Sequence, residues 1–330
     1  MLRAKRIAAV AGAAALVVVT AGCGSGSSKN TIDLVAYSTP QTVYAKLIPA
    51  FEATAAGKSA KFGQSFGASG TQAKSVIAGQ SADVVEFSRQ SDMTSLVAAN
   101  LVSPNWDANQ YQGIITDSVA VLIVRKGNPL HITNWDDLIK PGVKVVTPNP
   151  LSSGSACWNL MAAYGAELKE GKTPAEALAF IKELLQHTVA QPDSGSDATA
   201  AFVGGTGNVL IGYENEAIKA QQAGEAVDYV TPPDTILIQN PIAVTTGAHN
   251  PTLAKNFVKF LYTDQAQKIF AAAGYRPVVQ ADLNTTQFPT PPGLFTIDSL
   301  GGWATVNTEF FGTSGSISKI ENSLGNGSSG

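Results

Sequence analysis

Short apolar runs alternate along the chain with amphipathic stretches, and small polar turns separate the two. Ile32 to Tyr37 (IDLVAY) reads as a buried strand that runs into Ser38-Thr39-Pro40. Gln41 to Thr54 follows with helical spacing and a kink expected at Pro49. Ala60 to Phe66 repeats the strand, a turn at Ser69 leads into a helix ending near Gly79, and Asp83 to Phe87 and Asp92 to Ala99 add another strand–helix pair. This alternation predicts α/β architecture with a parallel sheet and ligand sites at the carboxyl ends of its strands. A second set comprises Lys144 to Thr147, Trp158 to Leu168, Pro174 to Leu185, Asn208 to Tyr213 and Val227 to Thr231. The long apolar run Ser118 to Arg125, and Ile236 to Val244 after it, are placed to cross between the two sets. Two lobes joined by crossing strands make a hinged clamp. Pro251 to Tyr262 and Asp264 to Ala273 read as closing helices.

The division expected is a lobe of residues 31–120 and 241–320, a second lobe of 121–240, and a low-complexity disordered tail at 321–330. Residues 1–22 read as an export signal, with Arg3, Lys5 and Arg6 before an apolar stretch too short to span a bilayer comfortably. Thr20-Ala21-Gly22-Cys23 is similar to a lipobox, with Thr20 in place of the usual aliphatic residue. That similarity implies lipidation of Cys23, anchoring to the membrane outside the cytoplasm, and a flexible tether to residue 30. The only other cysteine is Cys157, so no ordinary disulfide is expected.

Without the three signal charges the chain carries 19 basic against 25 acidic residues, a net of −6. No basic patch is dense enough to hold nucleic acid. The charged fraction is only 14%, which fits an anion site built from neutral donors and not from a bulk field. The candidates are the corners at Ser38-Thr39, Gly67 to Ala73 (GASGTQA) and Ser152-Ser153-Gly154-Ser155. Each lies where a helix is expected to start, and a helix N-terminus offers unpaired N–H groups and partial positive charge without any Lys or Arg. Ser69 also has a plain reading as an N-cap, and Ser153-Gly154 as an ordinary turn. Gly63-Gln64-Ser65-Phe66-Gly67 fits a nucleophile elbow, but it falls inside the expected strand. His131, His187 and His249 give it no support. No metal-ligand spacing, P-loop or dinucleotide fingerprint occurs. Neither enzymatic activity, a cofactor nor a metal is expected.

Taken together, GASGTQA, Leu122 to Pro129 (LIVRKGNP), Asn134 to Leu138 (NWDDL), Asn149 to Asn159 (NPLSSGSACWN), Asp193 to Phe202, Tyr213 to Ala217 (YENEA), Tyr275-Arg276-Pro277 and Leu294 to Trp303 (LFTIDSLGGW) resemble the sulfate-binding proteins of bacterial ABC importers. The resemblance spans nearly the whole chain beyond the signal. It implies a two-lobed periplasmic-binding-protein fold with a ligand cleft between the lobes. It also implies capture of sulfate, with thiosulfate as a further ligand, and delivery to a membrane permease by a monomer. Carried over residue by residue, the ligand set is Ser38, Ser69, Ser153, Gly154, Ser155, Ser196 and Tyr213. Ser38 stands where the family has aspartate, Ser155 replaces a glycine, and Tyr213 replaces a tryptophan. Molybdate-binding relatives use a tyrosine comparably, so a molybdate or tungstate binder of the same fold is the alternative. A surface adhesion or signalling protein that reuses the fold would show no saturable anion binding.

Sulfate carries no proton near neutral pH, so its site should present donors only. Each hydrogen bond to a charged acceptor contributes about 1.5–3 kcal/mol. Phosphate mostly retains a proton and wants an acceptor, so a buried carboxylate facing the ligand would favour phosphate. Asp197 is the residue placed to decide this, and it is expected to point away or cap a helix.

Overall fold

The computed structural model describes residues 30–325. The export segment, Cys23 and its tether lie outside the described residues, as does 326–330. The strands are β1 (Thr31–Tyr37), β2 (Lys61–Gly67), β3 (Val84–Glu86), β4 (Ile114–Arg125), β5 (Val145–Val146), β6 (Thr188–Ala190), β7 (Val209–Tyr213), β8 (Val227–Val230), β9 (Leu237–Val244) and β10 (Arg276–Pro277). The helices are α1 (Gln41–Glu52), α2 (Ser69–Ile77), α3 (Gln90–Ala98), α4 (Gly154–Lys169), α5 (Pro174–Gln186), α6 (Gly195–Val203), α7 (Glu214–Gln222), α8 (Pro251–Leu261), α9 (Asp264–Ala272), α10 (Gly302–Val306) and α11 (Ser316–Ser323).

The strands pair in the order β2-β1-β3-β9-β4-β7-β5-β6, with β8 and β10 also on β4. Pairing is parallel at the two ends, where β1 lies between β2 and β3 and β5 between β6 and β7. The crossing strands make it mixed. β9 runs antiparallel to both β3 and β4, and β4 runs antiparallel to β7 and β8. β4 is apolar on both faces because helices cover both. Ala120, Leu122 and Val124 enter one core with Trp135, Trp158 and Ile211, while Val119, Val121 and Ile123 enter another with Phe202 and Leu210. At the other end of the sheet, Ile32, Leu34 and Ala36 of β1 pack with Tyr44, Phe51 and Phe257, and Val35 packs with Met93 and Leu96.

Local rules account for many element ends. Thr173 and Glu176 form a reciprocal capping box with Pro174 in the first turn of α5. α1 continues through Pro49, which faces solvent, to Glu52. The chain after 293 behaves differently from the expectation that assigned 241–320 to the first lobe. Phe295, Ile297, Trp303, Val306, Phe310 and Ile317 pack into the core around Trp135 and Trp158, and Trp303 meets Trp158 edge-on at 4.6 Å. Gly165 permits this, since a Cβ there would lie 2.4 Å from the Phe295 ring. The expected tail also starts too early. α11 runs to Ser323, and Glu321, almost wholly buried, accepts from Gln191 at 2.6 Å. The apolar side chains from Phe295 to Ile317 lie more than 100 residues along the chain from Trp135 and Trp158, so no local pattern assigns them to that core.

Candidate functional site

Six strand-to-helix corners meet at the seam between the two ends of the sheet. β1 delivers Ser38 ahead of α1, β2 delivers Ser69 at the start of α2, and β3 delivers Ser88-Arg89 ahead of α3. From the other side come Ser153 at the N-cap of α4, Ser194 at the N-cap of α6 and Tyr213 at the N-cap of α7. Contacts across the seam bring them together. The Ser196 N–H donates to Ser38 Oγ at 3.3 Å, the Gly70 N–H donates to the Ser152 carbonyl at 3.0 Å, and Ser88 Oγ lies 2.7 Å from the Tyr213 hydroxyl. Trp158 Nε1 donates to the Ser88 carbonyl at 2.7 Å. Two glycines make the approach possible. A Cβ on Gly154 would stand 2.8 Å from Ser88 Oγ, and one on Gly195 would stand 3.0 Å from Ser155 Oγ. All seven residues expected from the sequence therefore lie at this seam. Ser38, Ser69, Ser153, Ser155 and Tyr213 are buried, and Ser196 is half-buried.

Their bonding refines the expected roles. Ser69 is not the N-cap of α2. That position is Ala68, and Ser69 is the first helical residue. Its hydroxyl donates to Asp92 Oδ2 at 2.6 Å and accepts from the Ser88 N–H at 3.0 Å. A hydroxyl has one proton, so what Ser69 has left to offer a ligand is its backbone N–H at the open end of α2. Ser153 is the opposite case. It occupies the cap position of α4 with no side-chain capping bond, so its hydroxyl is not committed to its own helix. Burial raises the Tyr213 phenol well above its usual range, against the lowering effect of Ser88. It keeps its proton at neutral pH, and in its 2.7 Å bond with Ser88 Oγ either oxygen can donate.

Asp197, Glu216 and Glu214 are each held by other partners. Asp197 is exposed and pairs back to its own helix start, accepting from Ser194 Oγ at 2.6 Å. Glu216 sits behind Gly195 and accepts from the Tyr213 N–H and Thr199 Oγ1, both at 3.1 Å. Glu214 is matched in two-point fashion by Arg276 at 2.7 and 3.0 Å. A cation also reaches the seam. Arg89, with a side chain only 12% exposed, stands at the seam in an ion pair with Asp92 at 3.1 Å. Ser88, Arg89, Asp92 and Gly195 were missed. Ser88-Arg89 follows an apolar strand and precedes a helix, the same arrangement as the other corners, and that was the available signal. Ser65 lies within β2 and bonds to Gln72, so Gly63 to Gly67 does not form an elbow.

Helix N-termini that converge on one seam from both ends of the sheet form an arrangement suited to enclosing a small anionic solute. The sequence profile of the family described as bacterial extracellular solute-binding protein matches residues 32–276, and the chain belongs to that family. It is 39% identical to the sulfate-binding protein of Synechococcus elongatus, over 94% of this chain and 95% of that one. It is 30% identical to the thiosulfate-binding protein of Escherichia coli, over 86% of this chain and 89% of that one. Among solved structures, the sulfate-binding protein SubI from Mycobacterium tuberculosis superposes with a TM-score of 0.83 at 44% identity, covering 86% of this chain and 99% of that one. These relatives are solute-binding proteins, not enzymes.

Proposed function

We propose that this protein captures sulfate outside the cytoplasm, takes thiosulfate as a further ligand, and hands the anion to the permease of an ABC importer. The arrangement that carries the reading is the donor set itself. The helix N-termini at Ser69, Ser153-Gly154-Ser155 and Gly195-Ser196, the Ser153 hydroxyl and the Tyr213 phenol face one seam, while Asp197 faces away from it. Such a set suits a proton-free dianion. The names of the sulfate- and thiosulfate-binding relatives agree with it. The two halves act as lobes that part and close around β4 and β9, with the segment after 293 travelling with the second. Cys23 carries the lipid that holds a monomer at the membrane. Among the described residues no helix is long and apolar enough to cross one.

A second reading is molybdate or tungstate, which the buried phenol of Tyr213 favours. Titration calorimetry of the purified protein with sulfate, thiosulfate, molybdate and phosphate decides. Sulfate should bind with micromolar or tighter affinity and phosphate at least about 100-fold more weakly, a difference of about 2.7 kcal/mol. Tighter binding of molybdate would install the second reading, and no heat with any of the four would remove both.

A further inference from the structure

The Ser88-Arg89 corner carries an arginine that a site made of helix ends does not need. Within the first half, Asp92 collects three donors: Ser69 Oγ at 2.6 Å and Arg89 Nε and Nη2 at 3.1 Å each. Asp92 is almost wholly buried, so its charge is tolerable beside an anion site only because Arg89 neutralises it. The rest of the guanidinium crosses the seam. Nη1 donates to Cys157 Sγ at 3.0 Å, and Cζ stands 5.7 Å from the centre of the Trp303 ring. Cys157 and Trp303 both belong to the core of the other half. Burial pushes the Cys157 thiol up to about 11, so it meets Arg89 as a neutral and weak acceptor.

We infer that Arg89 is a positioning residue that couples the Ser69 corner to the α4 corner, so that the two anion-facing helix ends close together and stay closed. The inference rests on the anion-capture reading for its ligand, although the contacts exist without one. When the halves part, the Arg89–Asp92–Ser69 set stays with the first half and only the reach to Cys157 and Trp303 is lost. The guanidinium regains water, and the thiol beneath it becomes accessible. The latch is therefore soft, as a reversible clamp requires. Its loss should act on the lifetime of the closed form more than on the folding of either half.

The test combines maleimide alkylation of Cys157, resolved at the peptide level by mass spectrometry, with stopped-flow release of sulfate, for the unaltered chain, Arg89→Met and Arg89→Lys. Without sulfate, Arg89→Met should label about five- to tenfold faster than the unaltered chain. Sulfate release should speed up about tenfold while association changes little, with Arg89→Lys between the two. Labelling and release both within about twofold of the unaltered chain would overturn the inference. If the unaltered chain binds no sulfate, the capture reading falls and the labelling rate without ligand decides alone: faster labelling supports the latch, an unchanged rate removes it. If Arg89→Met fails to fold by circular dichroism, Arg89→Lys is judged by the same two rates.

Discussion

Two hydroxyls separate residue type from residue role. Ser69 and Ser153 both start helices at the seam, yet Ser69 has given its proton to Asp92 and Ser153 has given its own to no helix. A sequence cannot make that distinction, because Asp92 is 23 residues away from Ser69. In the proposed donor set Ser153→Ala and Tyr213→Phe each remove a hydroxyl offered to the anion, so each should weaken sulfate binding by about 1.5–3 kcal/mol in calorimetry. The Tyr213 change also strands Ser88 Oγ, whose partner is that phenol at 2.7 Å, so it should lower the melting temperature more than Ser153→Ala does. Equal affinities for the two variants and the unaltered chain would discard the assignment of both donors.

Elements were largely readable. The apolar runs 32–37, 118–125 and 236–244 and the box Thr173-Pro174-Ala175-Glu176 mark strands and a helix start by local rules, and the structure has β1, β4, β9 and α5 there. The short strand Thr188–Ala190, the helices α6 and α7 and the two last helices were less legible. β6 is a partly exposed strand at the sheet edge, and α10 is five residues long. At this scale the glycines matter most. Gly154 opens α4 against Ser88, and a methyl group there would stand 2.8 and 2.9 Å from Ser88 atoms of the other half. Gly154→Ala should therefore oppose closure at a cost of about 1–3 kcal/mol in anion affinity. Thermal melting without ligand should hardly move, because each half packs as before. A large drop in melting temperature with unchanged affinity would show that Gly154 serves folding alone.

For the whole molecule, the sheet holds a charge problem beside the seam. Glu86 of β3 is fully buried, takes a hydrogen bond from Tyr44, and leaves Oε1 without a partner. Burial pushes its carboxyl from 4.5 up to about 8, against the lowering effect of Tyr44. The native state therefore keeps a proton that the unfolded chain releases above about pH 4.5. Stability from this group is complete below that pH and is lost as pH rises towards about 8, with a slope of up to about 1.4 kcal/mol per pH unit. Melting temperature should fall between pH 5 and 8, and Glu86→Gln should flatten the fall. An unchanged slope in that variant would assign the effect to other groups, Asp117 first, which burial raises to about 7.

What the amino-acid order determined alone was the succession of strands, helices and small-residue corners, because hydrophobic period and turn chemistry act over a few residues. It also carried the family resemblance and the seven seam residues, which occur in contiguous motifs. The tertiary structure decided what those residues do there. It turned Ser69's proton to Asp92, set Arg89 against Cys157 and Trp303, and folded the last segment onto the second core. Each of those outcomes depends on partners brought close only when the sheet assembles, and no local pattern encodes a contact between side chains so far apart in the chain.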